Sequence, residues 1–295
     1  MTGWLLYSEK DIEKNKIYIE YYFDEGNKLG VQIMLIVVEN LKFGIKNNTW
    51  FFTYDDKPML MPDFAICRTI YPLLNKQLEY MGIKVFNNSE VAEICNDKAK
   101  TYQHIACLGI PIIDTEFFRN SMVEEVMSTI KAPSVIKAVD GHGGNQVFLL
   151  EKDNSTKVVQ SKIMNQLGKS DIVLQPLLGT RHQDLRIYVI GNQIIASILR
   201  TANEGFKSNY SLGGRVEQYQ LSKKEISIVD KIVNSFEFGL VGIDFIIGDE
   251  GELIFNEIED VVGSRMLYAC TDINLVRLYL EYIVSKVTDC EWSYQ

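Results

Sequence analysis

Apolar residues run nearly unbroken over positions 3–7 and 32–38, and between them they recur at helical spacing from position 12 to 29. A short continuous apolar run predicts a buried strand and a 3.6-residue period predicts an amphipathic helix, so this stretch predicts a βαβ unit. Positions 63–68 predict another strand, 73–81 a helix and 83–86 a short extended piece. Strands alternating with helices predict a first lobe of α/β class with a parallel sheet.

The pattern changes at Asn96. Asn96 or Asp97 can cap a helix that runs to Leu108, where Gly109 stops it and Pro111 prevents it from resuming. Strands follow at 134–139 and 146–150, joined by the turn Asp140-Gly141-His142-Gly143-Gly144-Asn145, then a helix at 156–167 and a strand at 172–178. A long hairpin, 184–190 with 193–200, turns at Gly191-Asn192. After a loop come a helix at 222–236, two more apolar strands, and a last amphipathic helix at 273–287. No repeat, low-complexity tract or Pro/Ser-rich linker marks the boundaries, so they follow from the order of elements.

The two apolar strands flanking Gly248-Asp249-Glu250-Gly251 carry Asp244, Glu257 and Glu259 among Ile, Leu and Phe. With the turn centred on Asp249-Glu250, Asp244 lies opposite Phe255, and strand alternation puts the three acids on one sheet face. Like charges so close repel unless a cation neutralises them. A hard, oxygen-seeking ion such as Mg²⁺, which takes few carboxylates plus phosphate oxygens, meets that need. A solvated face with scattered acids is the other reading.

Cations occupy equally unusual places. Lys137 lies inside the strand Val135-Ile136-Lys137-Ala138-Val139 and must find an anion there or sit on a solvated edge. A nucleotide phosphate would serve. The glycine turn that follows joins two strands, so it matches neither the Rossmann nor the Walker A pattern, yet its bare amides can close over phosphate oxygens. As a purely structural turn it needs no ligand. Asp184 and Arg186 share a strand face, Arg200 ends the returning strand, and a polar loop with Lys207 and Asn209 follows. Cations facing a carboxylate hairpin suit phosphoryl transfer; surface salt bridges are the alternative.

Composition narrows the class. The 295 residues exceed one average domain, with 46% hydrophobic and 23% charged residues. A net charge of -9 and a pI near 5.0 argue against a nucleic-acid partner. No apolar run is long enough to span a bilayer and the first residues lack a secretory pattern, so no membrane association and a cytoplasmic location are expected. The five cysteines (Cys67, Cys95, Cys107, Cys270, Cys290) and three histidines are dispersed, which supports neither a zinc site nor a Ser-His-Asp hydrolase.

In this order the segments resemble the ATP-grasp superfamily and, within it, the RimK-like ligases that join an amino acid to a carboxylate; the resemblance covers residues 63–283. It rests on Asn96-Asp97-Lys98, on Val135-Ile136-Lys137 with its glycine loop, on Gln175-Pro176-Leu177-Leu178, and on Asp184-Leu185-Arg186. Arg200-Thr201-Ala202, Phe206-Lys207-Ser208-Asn209 and the carboxylate hairpin complete it. It implies an α/β, Rossmann-like pre-ATP-grasp lobe over 1–96, followed by a two-lobed α+β ATP-grasp fold over 97–180 and 181–295. It further implies that Lys98, Lys137, Gly141, Gly143, Gly144, Gln175, Pro176, Leu177, Leu178, Asp184, Lys207 and Asn209 bind ATP. Arg186, Arg200 and Lys207 would be the catalytic cations, and Asp244, Glu257 and Glu259 would hold Mg²⁺, or Mn²⁺ in its place. The implied reaction activates a carboxylate substrate as an acyl phosphate, which an amine substrate, an amino acid or peptide, opens to an amide. A homo-oligomer is compatible with this. A ligase acting on a peptide or protein tail and a non-catalytic nucleotide-binding regulatory module are the rival readings.

Three positions depart from the family pattern. Lys207 stands where Arg is common, Glu259 where Asn usually stands, and Asp260-Val261-Val262-Gly263-Ser264-Arg265 replaces Ser-Pro-Gly. The last lies where an acceptor would approach; there Arg265 either holds a substrate carboxylate or makes a structural salt bridge.

Overall fold

The computed structural model of the chain describes residues 1–130, 133–151, 157–179, 182–202 and 215–289. Its first elements are β1 (Thr2–Tyr7), α1 (Glu9–Ile12), α2 (Lys16–Lys28) and β2 (Gln32–Val37), with β1 and β2 parallel as the apolar pattern predicts. A three-stranded meander follows, β3 (Leu41–Lys46), β4 (Thr49–Tyr54) and β5 (Lys57–Pro58), which the sequence pattern did not reveal. Only Leu41 and Phe52 of it are buried, so no clean two-residue alternation marks it.

Next come β6 (Phe64–Cys67), α3 (Pro72–Tyr80) and β7 (Lys84–Phe86), completing a parallel sheet of order β2-β1-β6-β7. Crossover connections cover both faces of such a sheet, which explains its near-continuous apolar strands. Leu5, Tyr7, Phe64, Ile66 and Phe86 enter one core, while Trp4, Leu6, Ala65, Cys67 and Val85 enter another on the opposite face.

Two short helices lead on, α4 (Ser89–Ile94) and α5 (Lys98–Cys107). Asp97 is the cap of α5, accepting from Lys100 N at 3.0 Å, whereas Asn96 donates to Asp260 Oδ2 at 2.9 Å. An antiparallel sheet of order β10-β9-β11-β8 follows. It is built from β8 (Glu116–Phe118), α6 (Val123–Thr129), β9 (Ser134–Ala138), β10 (Val147–Leu150), α7 (Lys157–Leu167) and β11 (Ile172–Pro176), and α6 and α7 cover one face.

The third portion comprises β12 (Gln183–Ile190), β13 (Gln193–Thr201), β14 (Arg215–Gln218), α8 (Lys223–Val233), β15 (Leu240–Ile247), β16 (Leu253–Glu259), α9 (Arg265–Cys270) and α10 (Leu275–Val287). Its strands form an antiparallel sheet of order β14-β13-β12-β15-β16. A capping box at Ser222 and Glu225 starts α8. Leu185, Ile187, Val189, Val241, Ile243 and Phe245 face one core with α8 and α5. The alternate positions, Asp184, Arg186, Arg200 and Asp244, are also buried, so charge lies deep on the other face of the same strands. Among the described residues no helix is long and apolar enough to cross a membrane.

Candidate active site

The β15–β16 hairpin differs from its sequence-based register. Phe245 pairs with Phe255 but Asp244 pairs with Glu257, not with Phe255, so Asn256 is an extra residue in β16. The turn is asymmetric, with Gly248 N donating to Glu252 O at 2.9 Å, and the bulge then shifts the register once more. A bulge sets two residues of one strand against one of its partner. Here Asn256 and Glu257, neighbours in sequence, both line one cleft. The shared face of Asp244, Glu257 and Glu259 survives the change, since Glu259 pairs with Gly242.

The acids on that face meet arginines. Arg186 grips Asp244 with two parallel bonds, Nε to Oδ1 at 2.8 Å and Nη2 to Oδ2 at 2.6 Å, and its Nη1 lies 2.7 Å from Glu259 Oε2. Arg200 donates to Asp244 Oδ2 at 2.7 Å and to Asp184 Oδ1. These contacts are the product of register: Arg186 sits directly opposite Asp244, and Asp184 opposite Arg200. Asp244 is only 1% exposed; burial alone would raise its pKa, but Arg186 and Arg200 pull it down to about 2. Glu259 goes the other way, because desolvation outweighs Arg186. Two guanidiniums thus offset the charges of Asp244 and Glu259 on this face, through β12–β15 pairing that local sequence cannot reveal.

Two lysines flank the acids. Lys137 on β9 is buried and donates from Nζ to Asn256 Oδ1 at 2.9 Å, an amide oxygen in place of the expected anion. Desolvation lowers its pKa to about 8, with Glu257 opposing that shift. Lys98, the first residue of α5, is also buried; its Nζ donates to Gly141 O and lies 3.5 Å from Glu257 Oε2. Lys98 thereby ties the start of α5 to the glycine loop and the carboxylate hairpin. Gly143 and Gly144 have φ of 62° and 73°, the left-handed region that favours glycine.

Lys98, Lys137, Gly144, Gln175, Pro176, Leu177, Leu178, Asp184, Asn256 and Glu257 all line one cleft, closed on its apolar side by Ile113, Val135, Val147 and Ile246. A smaller cavity beside it, bounded by Lys98, His142, Gly143, Glu257 and Glu259, extends the cleft over the glycine loop. Gln175 Nε2 donates to Thr115 Oγ1 at 2.8 Å. Of the sequence-derived set, Arg186 and Arg200 do not line the cleft and are tied to acids, and Lys207 and Asn209 lie outside the described residues. Arg265 is exposed at the start of α9.

The donor set suits a hard cation in part. The carboxylates of Glu257 and Glu259, 32% and 30% exposed, keep oxygens toward the smaller cavity, while both Asp244 oxygens accept from guanidiniums. Two carboxylates completed by phosphate oxygens are what Mg²⁺ commonly takes. Among the described residues no three His, Cys, Asp or Glu side chains by themselves gather as a metal site.

Sequence reading overlooked Asn256, the partner of Lys137, and Tyr102, whose hydroxyl donates to Asn256 O at 2.7 Å and so braces the bulge from α5. A polar residue between Phe255 and Glu257 in an apolar strand was the available signal for the first. Nothing local marked the second.

Comparison with known proteins bears on the family and the fold. A RimK-like ATP-grasp domain matches residues 95–283. The chain is 25% identical over 279 residues to the uncharacterized MG011 homolog of Mycoplasma pneumoniae, covering 94% of this chain and 90% of that protein. It is 28% identical over 214 residues to a probable alpha-L-glutamate ligase of Legionella pneumophila, covering 72% and 70%. The fold superposes on a RimK domain ATP-grasp protein from Sphaerobacter thermophilus with a TM-score of 0.70 at 14% identity, over 96% of this chain and 100% of that one.

Proposed function

The chain belongs to the RimK-like ATP-grasp family, whose domain spans residues 95–283, and we propose that this ADP-forming carbon–nitrogen ligase works in the cleft between the β10-β9-β11-β8 sheet and the β14-β13-β12-β15-β16 sheet. The observation that carries the reading is the convergence of Lys98, Lys137, Asp184 and Glu257 on one cleft that also has an apolar end. Adenine takes the apolar end beside Gln175, Pro176, Leu177 and Leu178. The phosphates lie toward Lys98, Lys137 and the glycine loop, where two cations in a site with little water attract oxyanions strongly.

Glu257 and Glu259 would hold Mg²⁺, which would offset the negative charge that develops on the phosphates. Arg186 and Arg200, paired with Asp244 in this structure, would supply positive charge for the transferred phosphoryl group, and Asp244 would contribute its carboxylate to the metal site. Guanidinium forks suit phosphate as well as carboxylate. The Glu259 found where the family has Asn adds a negative charge, and Arg186 compensates for it in the resting protein.

Chemically, an oxygen of the substrate carboxylate attacks the γ-phosphorus while the bond to ADP breaks, giving an acyl phosphate. The amine nitrogen then attacks the acyl carbon, and phosphate leaves with the electrons of the C–O bond as the nitrogen gives up a proton. No side-chain nucleophile is needed. The Legionella relative's name makes L-glutamate the first amine to try. Hydroxylamine tests the intermediate: incubated with Mg-ATP and candidate acids, the protein yields a hydroxamate with the correct acid. ADP release with amide formation and no hydroxamate at any hydroxylamine concentration would contradict an acyl phosphate open to amines.

A further inference from the structure

The parallel sheet has its own unexplained charge. In the order β2-β1-β6-β7, the chain passes from β1 to β2 on one side and later to β6 on the other, so the strand order reverses between β1 and β6. Open parallel sheets bind ligands in the crevice at the carboxyl ends of strands where such a reversal occurs. Tyr7 ends β1 there, and Arg68 directly follows β6.

Arg68 is 6% exposed. Its Nη2 donates to Val262 O at 2.8 Å, and its guanidinium lies 5.2 Å from the ring centre of Tyr18. Its Nε is buried without a hydrogen-bond partner, and so are the hydroxyls of Tyr7, Tyr18 and Tyr22. Among the described residues no carboxylate forms an ion pair with Arg68. Asp260, the acid whose charge reaches it, accepts from Asn87 Nδ2 and from Asn96 Nδ2 instead. A buried guanidinium with an unsatisfied Nε, one backbone acceptor and no carboxylate partner, set among tyrosine hydroxyls, is a costly arrangement without a function for it.

The neighbourhood ties this end of the sheet to the reaction. Val262 comes three residues after Glu259, and a Cβ on Gly242 of β15 would stand 2.6 Å from its side chain. We propose that Arg68 and the hydroxyls of Tyr7, Tyr18 and Tyr22 bind the α-carboxylate of an amino-acid acceptor, or the C-terminal carboxylate of a peptide one, holding its amine over the end of the carboxylate hairpin. A planar carboxylate matches the guanidinium fork, and the hydroxyls donate to its remaining lone pairs. The site rests on the ligase reading above and adds to it the residues that recognise the acceptor by its carboxylate.

Thermal melting of the full chain tests this with Mg-ATP alone and with L-glutamate, its α-amide, the peptide Gly-Gly-Glu and that peptide's C-terminal amide. In the wild type, Mg-ATP raises the melting temperature, and L-glutamate or Gly-Gly-Glu raises it further while the matching amide does not; which of the two acts tells amino acid from peptide. Arg68→Gln keeps the Mg-ATP shift and loses the carboxylate shift. It folds, because Asp260, the acid Arg68 acts on, keeps its hydrogen bonds from Asn87 and Asn96. Arg68→Lys keeps the charge without the fork, so KM for the acceptor rises roughly tenfold to a hundredfold while KM for ATP holds. Equal shifts from acid and amide, a full carboxylate shift in Arg68→Gln, inorganic phosphate acting where carboxylates fail, or a wild type stabilised by Mg-ATP and by no carboxylate would each overturn the proposal. A wild type that responds to the carboxylates and not to Mg-ATP would overturn the nucleotide reading and leave this one standing.

Discussion

Replacing Asp244 with Asn removes the negative charge that Arg186 and Arg200 share and exchanges one acceptor oxygen for an amide donor, leaving Arg186 with Glu259 and Arg200 with Asp184 as charged partners. Breaking a buried ion pair from one side costs on the order of 3 to 5 kcal/mol, so urea unfolding of Asp244→Asn is expected to show a loss of that size. A loss below about 1 kcal/mol would mean that water screens the cluster. Glu257 and Glu259 separate by role. Glu257→Gln is expected to lower turnover by roughly two to three orders of magnitude, because a charge lost from a phosphoryl clamp costs about 3 to 4 kcal/mol. Glu259→Asn restores the family's usual residue and should keep substantial activity with a shifted Mg²⁺ requirement. ADP release across a magnesium titration compares them; full activity in Glu257→Gln would remove the hairpin from the metal site. Lys137 supplies the pH dependence. Its pKa is lowered from 10.5 to about 8 by burial, so between those values the folded chain binds fewer protons than the unfolded one. Its effect on stability is therefore unfavourable below pH 8 and improves as pH rises through that window. Phosphate beside it favours the charged form, so Mg-ATP binding near about pH 8.5 should take up a proton in the wild type and not in Lys137→Met. Titration calorimetry in two buffers of different ionisation heat reads this directly; equal uptake in both proteins would separate Lys137 from the phosphates.

The hairpin turn of β12 and β13 shows how local sequence and distant packing combine. Gly191 has a φ of 59°, and an added Cβ would stand 2.5 Å from the Tyr282 ring on α10. Gly191→Ala should destabilise the chain by roughly 2 kcal/mol through strain and overpacking, measured by the melting midpoint. A neutral result would show that α10 yields there. Elements with a strong period were legible: the βαβ start, α5 with its Asp97 cap, the β12–β13 hairpin at Gly191-Asn192, and α8 behind Ser222. The meander of β3, β4 and β5 was not, because it buries too little to impose alternation. The hairpin register failed for a different reason. The bulge at Asn256 carries no glycine to mark it, and what holds it, Lys137 and Tyr102, comes from other elements. For the same reason the acids and cations could be picked out one by one, but the pairing of Arg186 with Asp244 could not, since it depends on β12 lying beside β15.

At the scale of the whole molecule, the apolar core joins the parallel sheet to β12, β13 and α10 through Tyr7, Phe64, Tyr188 and Tyr279. Asn87, at the end of β7, donates to Leu240 O at 2.9 Å and accepts from Gly239 N. The sheet carrying Arg68 and the sheet carrying the acids are therefore fixed to each other, while Lys137 reaches the acids from the third sheet across the cleft. That division suits a ligase in which one rigid body presents the acceptor and the metal ligands and a second closes over the nucleotide. The measurement that bears most directly on it is the affinity for Mg-ATP of the wild type and of Lys137→Met at neutral pH. Saturable binding by the wild type is expected, with at least about a hundredfold loss in the variant, the equivalent of one charge-assisted contact in a site of low dielectric. Equal affinities in the two proteins, or no binding by either, would contradict the assignment of this cleft as the ATP site.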